Sequence, residues 1–426
     1  MKTPPSRISL APLILACAVA VAVSTTSARA QPCGGYEVTA IIQTPVDCGF
    51  GFDITTGLGL NDDGAVVGFY WCSGWEHKEA FVWTAEEGFV TLERPQGVSS
   101  ARAVDINDEG IICGTAVVSG FGDRGFVYGY DGDQFTILDI PPGGNTMEAR
   151  GINSAGEIVG FWGDVVNGPF PLAFIWRNGK TIDIHPDFGT SRSVPSDINS
   201  KSLVTGWMGQ APQTDARAFI WDNSKVTELP PIAGGFTSVG EAVGCANMVA
   251  GWGLRMEGKP LETVTRGFLW QEGKMIDLGT LPNHLRSAAL SLRNTPLQIV
   301  GVSWNVDGNP SIQSGFVWAD GVIRDLNELI PPELSLDIHT ARRINEGGQI
   351  VGSATNEFGD PVAVLLTPIQ GPLGDLDGDC RVGSSDFFIL LSNWGSCENC
   401  AACPADLDNN CVVGVSDLLT LLGNWG

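Results

Sequence analysis

Short runs of alternating and β-branched apolar residues, interrupted by turns bearing Asn, Gly and Pro, fill most of this chain and predict half-buried antiparallel strands. The clearest copy is Ala149-Arg-Gly-Ile-Asn153-Ser-Ala-Gly156-Glu-Ile-Val-Gly160, followed by Ala173-Phe-Ile-Trp176-Arg-Asn-Gly179-Lys-Thr-Ile-Asp-Ile184. It predicts four strands. The first ends at Asn153, and a four-residue turn reverses the chain into Glu157–Gly160. Ala173–Trp176 follows after a loop, and a hairpin at Asn178-Gly179 leads into Thr181–Ile184. Asn can cap such a turn with its own side chain, and Gly in the fourth place supplies the positive φ of a bulged hairpin.

Aligned on the glycine that ends the second strand, the unit recurs at Gly68, Gly114, Gly160, Gly206, Gly251, Gly301 and Gly352, with spacings of 46, 46, 46, 45, 50 and 51 residues. The turn reads Asn61-Asp-Asp-Gly64, Asn107-Asp-Glu-Gly110, Asn153-Ser-Ala-Gly156 and Asn345-Glu-Gly-Gly348, and weakens at Asn199 and Asn294. The third strand reads Phe81-Val-Trp83, Phe126-Val-Tyr128, Phe174-Ile-Trp176, Phe219-Ile-Trp221, Phe268-Leu-Trp270 and Phe316-Val-Trp318, then fades to Val362–Leu366. A period of this length with four strands per copy is the signature of propeller blades. The first three strands occur seven times, but only six are followed by their own fourth strand; Tyr36–Ile42 supplies the seventh. The expected fold is therefore mainly β, a seven-bladed β-propeller over residues 36–367. A solenoid or another blade count is the competing architecture.

These units resemble the bacterial extracellular repeats called the HAF family, whose pattern is Ile-Asn…Gly…Ile-Val-Gly…Ala-Phe-x-Trp…Asp-Leu-Gly. The resemblance implies structural residues and no activity, and the His that precedes Ala-Phe in that family occurs in no copy here. Regular recurrence makes the third-strand Phe and Trp packing residues. Trp71, Trp75, Trp162, Trp207, Trp252 and Trp304, expected just after the second strands near a rim, are the better candidates for stacking a glycan.

After Gly371-Pro-Leu-Gly374 the pattern changes. Asp375-Leu-Asp377-Gly-Asp379-Cys-Arg381-Val-Gly-Ser-Ser-Asp386 recurs 31 residues later as Asp406-Leu-Asp408-Asn-Asn410-Cys-Val412-Val-Gly-Val-Ser-Asp417, each copy followed by an apolar stretch ending in Trp394 or Trp425. Oxygen side chains stand at the first, third, fifth and twelfth places. The seventh residue, Arg381 or Val412, offers its carbonyl, and Val382 or Val413 is the apolar eighth. Such a twelve-residue, EF-hand-like loop wraps a hard cation, and calcium suits it better than magnesium; two ions are expected. Helices are expected over 386–394 and 417–425.

This tail resembles a type I dockerin, the duplicated calcium module that docks exported proteins onto cohesin domains. The resemblance implies that the tenth and eleventh places, Ser384 and Ser385 in one copy and Val415 and Ser416 in the other, face the partner. Departures are Cys380 or Cys411 where the sixth-place Gly is usual, Gly383 or Gly414 at the ninth place, and helices lacking basic residues.

Composition adds the compartment. Lys2 and Arg7, an apolar run from Ile8 to Val23 and Ala28-Arg29-Ala30 read as a signal peptide over residues 1–30, too short for a membrane helix. Its removal leaves 21 basic residues against 48 acidic ones, a net charge of −27 that disfavours nucleic acid and anionic membranes. Export makes disulfides the default for the ten remaining cysteines, with pairing left open; Cys397-Glu-Asn-Cys400-Ala-Ala-Cys403 also has the spacing of a zinc finger. The four His share no spacing, and no nucleophile elbow, metalloprotease motif or phosphate loop occurs. The expected domains are thus the signal peptide, a propeller over 31–370 and a calcium module over 371–426. The expected role is a secreted or cell-surface binding protein whose tail binds a cohesin-like or other extracellular protein and whose propeller rim contacts protein or glycan. The alternative is a polysaccharide-degrading component, a glycoside hydrolase or lyase, and the mark of the hydrolase is paired carboxylates roughly 5–10 Å apart; none is nominated from the sequence.

Overall fold

The computed structural model describes residues 35–41, 53–72, 77–129, 134–166, 168, 170–211, 214–258, 262–305, 313–369, 371–376, 381–397, 403–408 and 410–426. The signal segment and Trp75 lie outside them. Seven four-stranded antiparallel sheets follow one another, six of them in simple chain order. The seventh is built from Asp337–Ile344, Ile350–Thr355 and Pro361–Pro368, and its outer edge is Tyr36–Ile41. That closing strand pairs Tyr36 with Pro368 and Ile41 with Ala363. The ring is seven-bladed and is locked by its two ends, as the strand count requires.

The first strand of every blade is innermost: Asp53–Leu60, Val98–Ile106, Thr146–Ile152, Arg192–Ile198, Val239–Val243, Arg286–Asn294 and Asp337–Ile344. Each touches its counterparts in both neighbouring blades. The recurring glycine sits opposite this strand. A Cβ on any of Gly68, Gly114, Gly160, Gly206, Gly251, Gly301 or Gly352 would lie 1.9–2.3 Å from an inner-strand carbonyl oxygen, and no other residue fits. Immediately beyond that pair the register slips by one residue in all seven blades. The slip leaves one bulged residue per blade, namely Leu58, Val104, Arg150, Ser196, Glu241, Leu290 and Arg342, and all seven line the central channel.

The turn asparagines do more than cap. The Asn61 Oδ1 accepts from the Ala65 N–H at 2.8 Å, while its Nδ2 donates to the Asn107 carbonyl of the next blade at 3.1 Å. Asn107, Asn153 and Asn199 repeat the link forward, and Asn345 donates to the Asn61 carbonyl, carrying the chain of bonds across the closure. The third-strand phenylalanines Phe81, Phe126, Phe174, Phe219, Phe268 and Phe316 are fully buried between blades. Each contributes roughly 1.5–3 kcal/mol of burial. Packing is therefore their role. The rim tryptophans need correction: Trp71, Trp162, Trp207, Trp252 and Trp304 lie within the second strands rather than after them.

The tail carries helices α1 (Ser384–Ser392) and α2 (Val415–Gly423). Both begin two residues earlier than the loop pattern suggests. The reason is that Gly383 and Gly414 act as N-caps whose N–H groups donate to Asp386 and Asp417, at 2.7 and 2.8 Å, so the last acidic place of each loop lies inside the first turn. Leu376, Val382 and Leu390 pack with Ala405, Val413 and Leu421 in a core of two matching halves. The halves are stitched reciprocally: Gly395 pairs with Val413, and the Gly426 N–H donates to the Val382 carbonyl at 3.1 Å. Cys397 and Cys403 form a disulfide, which removes both from any zinc site.

Candidate functional site

Two regions gather chemistry. In the second acidic loop, carboxylate oxygens of Asp406, Asp408 and Asp417 all lie within 4.8 Å of one another. Asp417 is wholly buried, its Oδ1 accepting from the Leu407 and Asp408 N–H groups at 2.6 and 3.2 Å. Hydrogen bonds, foremost from the Ser416 side chain, hold the Asp408 carboxyl below its ordinary value. Asn410 Oδ1 accepts from the Val412 N–H at 2.9 Å, which bends the loop. The sixth place, Cys411, takes φ +69°, the left-handed conformation that Gly ordinarily supplies there, and its sulfur is disulfide-bonded. The backbone turn of a cation loop is thus kept without its glycine.

The first loop repeats this geometry where it is described. Asp375 and Asp386 are buried, and the Leu376 N–H donates to Asp386 Oδ1 at 2.6 Å, the counterpart of Leu407 and Asp417. Asp377 and Asp379 lie outside the described residues. Hard oxygen donors converging on one point, with no nitrogen or sulfur among them, fit calcium by donor chemistry.

The docking candidates Ser384, Ser385, Val415 and Ser416 open the two helices and are all exposed. The two helices and the residues just after them also expose Phe388, Leu391 and Trp394 in one copy and Leu419, Leu422 and Trp425 in the other, from 42 to 64 % accessible. Each trio repeats the other at the 31-residue offset. The shared 31-residue spacing is the sequence signal of this apolar pair of faces, which the missing basic residues alone do not reveal.

The second region is the propeller channel. A cavity of about 580 Å³ opens at the end where the inner strands begin, with Trp207 and Trp252 on its wall. Its basic members are Lys78, Arg102, Arg150, Arg342 and Arg343, and Glu241 is the one carboxylate among the described lining residues. The Arg102 and Arg150 guanidiniums share Glu148 Oε2 at 2.6 and 3.5 Å. Glu241 Oε1 accepts from the Trp252 Nε1–H at 2.8 Å, and burial pushes its carboxyl above the ordinary range.

Beneath the cavity Arg343 reaches Asp105 and Asp197, from two other blades, at 3.7 and 3.8 Å. Both carboxylates also accept from a neighbouring blade, from the Ile152 and Val243 N–H groups at 3.1 and 2.9 Å. Burial, together with Asp197 nearby, raises the Asp105 carboxyl to about 6 despite the opposing Arg343 charge. A second negative charge nearby disfavours the charged form of Asp105. This cluster floors the channel.

No protein-family model and no curated protein sequence matches the chain. Among solved structures the propeller is similar to an oligogalacturonate lyase from Vibrio parahaemolyticus, at 12 % identity and TM-score 0.49, covering 78 % of this chain and 93 % of that one. It is also similar to the β-propeller domain of the Trilobed protease from Pyrococcus furiosus, at 11 % identity and TM-score 0.44, covering 65 % and 81 %. A third is the Pyrococcus horikoshii acylaminoacyl peptidase, at 12 % identity and TM-score 0.44, of which the chain spans about half the length, 51 %, using 74 % of its own. At this similarity none lends its activity to the present chain.

None of the channel's basic residues is marked in the sequence. They come from four blades, and only ring closure brings them together. Trp207 and Trp252 alone connect the channel to the earlier candidates.

Proposed function

We propose that this is an exported binding protein whose HAF-like propeller is attached to an extracellular or cell-surface protein by a calcium-dependent, dockerin-like tail. The convergence of Asp406, Asp408 and Asp417, with the first loop matching it bond for bond around Asp386, carries this reading. Asp375, Asp377, Asp379 and Asp386 would hold one ion and Asp406, Asp408, Asn410 and Asp417 the other, with carbonyls from Arg381 and Val412. Bound cations supply the charge that lets these acids sit together, so binding is coupled to order in the tail. The matched apolar faces, about 31 residues apart in sequence, then offer a partner a dry surface where this tail lacks basic residues. A cohesin-like partner fits this surface.

The competing reading is a polysaccharide hydrolase or lyase, and the hydrolase needs two converging carboxylates. Among the described lining residues Glu241 is the one carboxylate, and the Asp105 and Asp197 carboxylates beneath it are taken up by Arg343 and backbone N–H groups, which favours attachment.

Native mass spectrometry of the full-length protein tests this. Two calcium ions should be bound, EDTA should strip both, and Asp417→Ala should lose one. Chelation should also release any captured extracellular protein. A metal-free mass in millimolar calcium would sink the reading.

A further inference from the structure

The channel cavity carries more positive charge than its surroundings justify. The chain as a whole has a net charge of −24. Yet the cavity assembles four basic side chains above the Arg343 floor, answered there by Glu241 and by the Glu148 that Arg102 and Arg150 share.

Arg342 is the telling member. It is a bulged residue whose side chain is open to the channel. Among the described residues it makes no hydrogen bond or ion pair, while the protein around it holds its guanidinium below the ordinary value by desolvation. The residue is exposed on the channel wall, Glu241 is the acid whose charge acts on it, and its fork of donors is available to a carboxylate. Lys78 presents its ammonium to the Phe69 ring at 4.4 Å and, among the described residues, to no carboxylate.

The rest of the wall narrows the class. Trp207 and Trp252 offer flat apolar surface of the kind that stacks on a sugar ring. Glu241, fixed by the Trp252 indole, is an acceptor suited to hydroxyl groups and repels a multiply charged phosphate. The volume lies within the roughly 300–1,000 Å³ typical of small-ligand sites.

We infer that the mouth of the propeller channel binds a carboxylated sugar, with Arg342 and Lys78 taking the carboxylate, Trp207 and Trp252 stacking on the ring, and Glu241 accepting from hydroxyls. The site is independent of the calcium tail, so it stands or falls separately from the attachment role. A bidentate guanidinium–carboxylate pair supplies orientation, and the surrounding negative surface limits access to ligands that this local field can capture.

Calorimetric titration of the full-length protein with a β-1,4-linked glucuronate trimer, and with cellotriose as the uncharged match, decides the matter. The trimer should bind at least tenfold more tightly than cellotriose, with equal affinity in calcium and in EDTA. Arg342→Met should weaken it at least tenfold with the melting temperature preserved, and Arg342→Lys should restore part of the loss. Should Arg342→Met fail to fold, Lys78→Met, at the cavity edge, carries the same expectation. No heat with the trimer, equal binding of cellotriose, or full affinity in Arg342→Met would overturn the assignment. Displacement of the trimer by equimolar inorganic phosphate would overturn it too, in favour of a bare anion site.

Discussion

The propeller and the tail are both made by sequence duplication, and they use it in opposite ways. In the propeller the repeated residues point at the protein itself: glycine lets two strands close, asparagine ties one blade to the next, and phenylalanine fills the space between. The proposed ligand contacts draw on bulged positions such as Glu241 and Arg342, where the copies vary. In the tail the repeated residues are the acids and the exposed apolar trios, so the chemistry itself is duplicated. A large ring stabilises itself by burial and can afford variation at its centre. A small module with a core of a few side chains depends on disulfides and, on the reading above, on cations.

The largest expected effect breaks the propeller alone. Gly160→Val would place a side chain 2.0 Å from the Glu148 carbonyl oxygen, where only backbone movement can relieve the clash. A loss on the order of 4 kcal/mol or more is expected, seen as a collapse of the β-sheet melting transition. Unchanged melting would mean that the repeated glycine is not a packing requirement.

A second test concerns the channel floor. The Asp105 carboxyl is raised to about 6 in the folded protein, above its unfolded value, so the native state binds the extra proton. Its contribution to stability is therefore largest at low pH and is lost as pH rises from about 4 through about 6, by at most about 3 kcal/mol. Asp105→Asn should flatten that part of the melting temperature against pH curve. A wild-type curve that rises across this window, once compared with the variant, would contradict the raised Asp105 carboxyl.

The smallest effect on stability sharpens the contrast. Phe388→Ser combined with Leu419→Ser alters side chains that are both 64 % exposed, one from each apolar trio. Stability should change by less than about 0.5 kcal/mol per site, measured by thermal melting, while calcium-dependent partner capture is lost. A marked destabilisation would place these residues in the module's own packing rather than on a docking face.

Blade number and closure were legible because the residues that enforce them are chemically singular. No residue but glycine tolerates a carbonyl oxygen at 2 Å, so Gly68 through Gly352 recur visibly. The acidic loops were legible for a similar reason, since their ligands are local in sequence. The helix starts were misplaced because Gly383 and Gly414 donate backwards to the acids as N-caps, a contact with no marker in the pattern. The asparagines were read as turn caps, and half of their role was missed because the second partner stands about 46 residues away.

What the chain determined by itself is the ring of seven blades and the twin acidic loops, since both follow from short-range patterns repeated at fixed spacing. Tertiary structure decided what the channel contains. Arg343 meets Asp105 across more than two hundred residues, and Arg342 stands beside Glu241, only because closure turns a linear series of unlike bulged residues into neighbours. Sequence spacing measures distance along a chain, whereas charge acts through space, and the ring brings the two together only after it has closed.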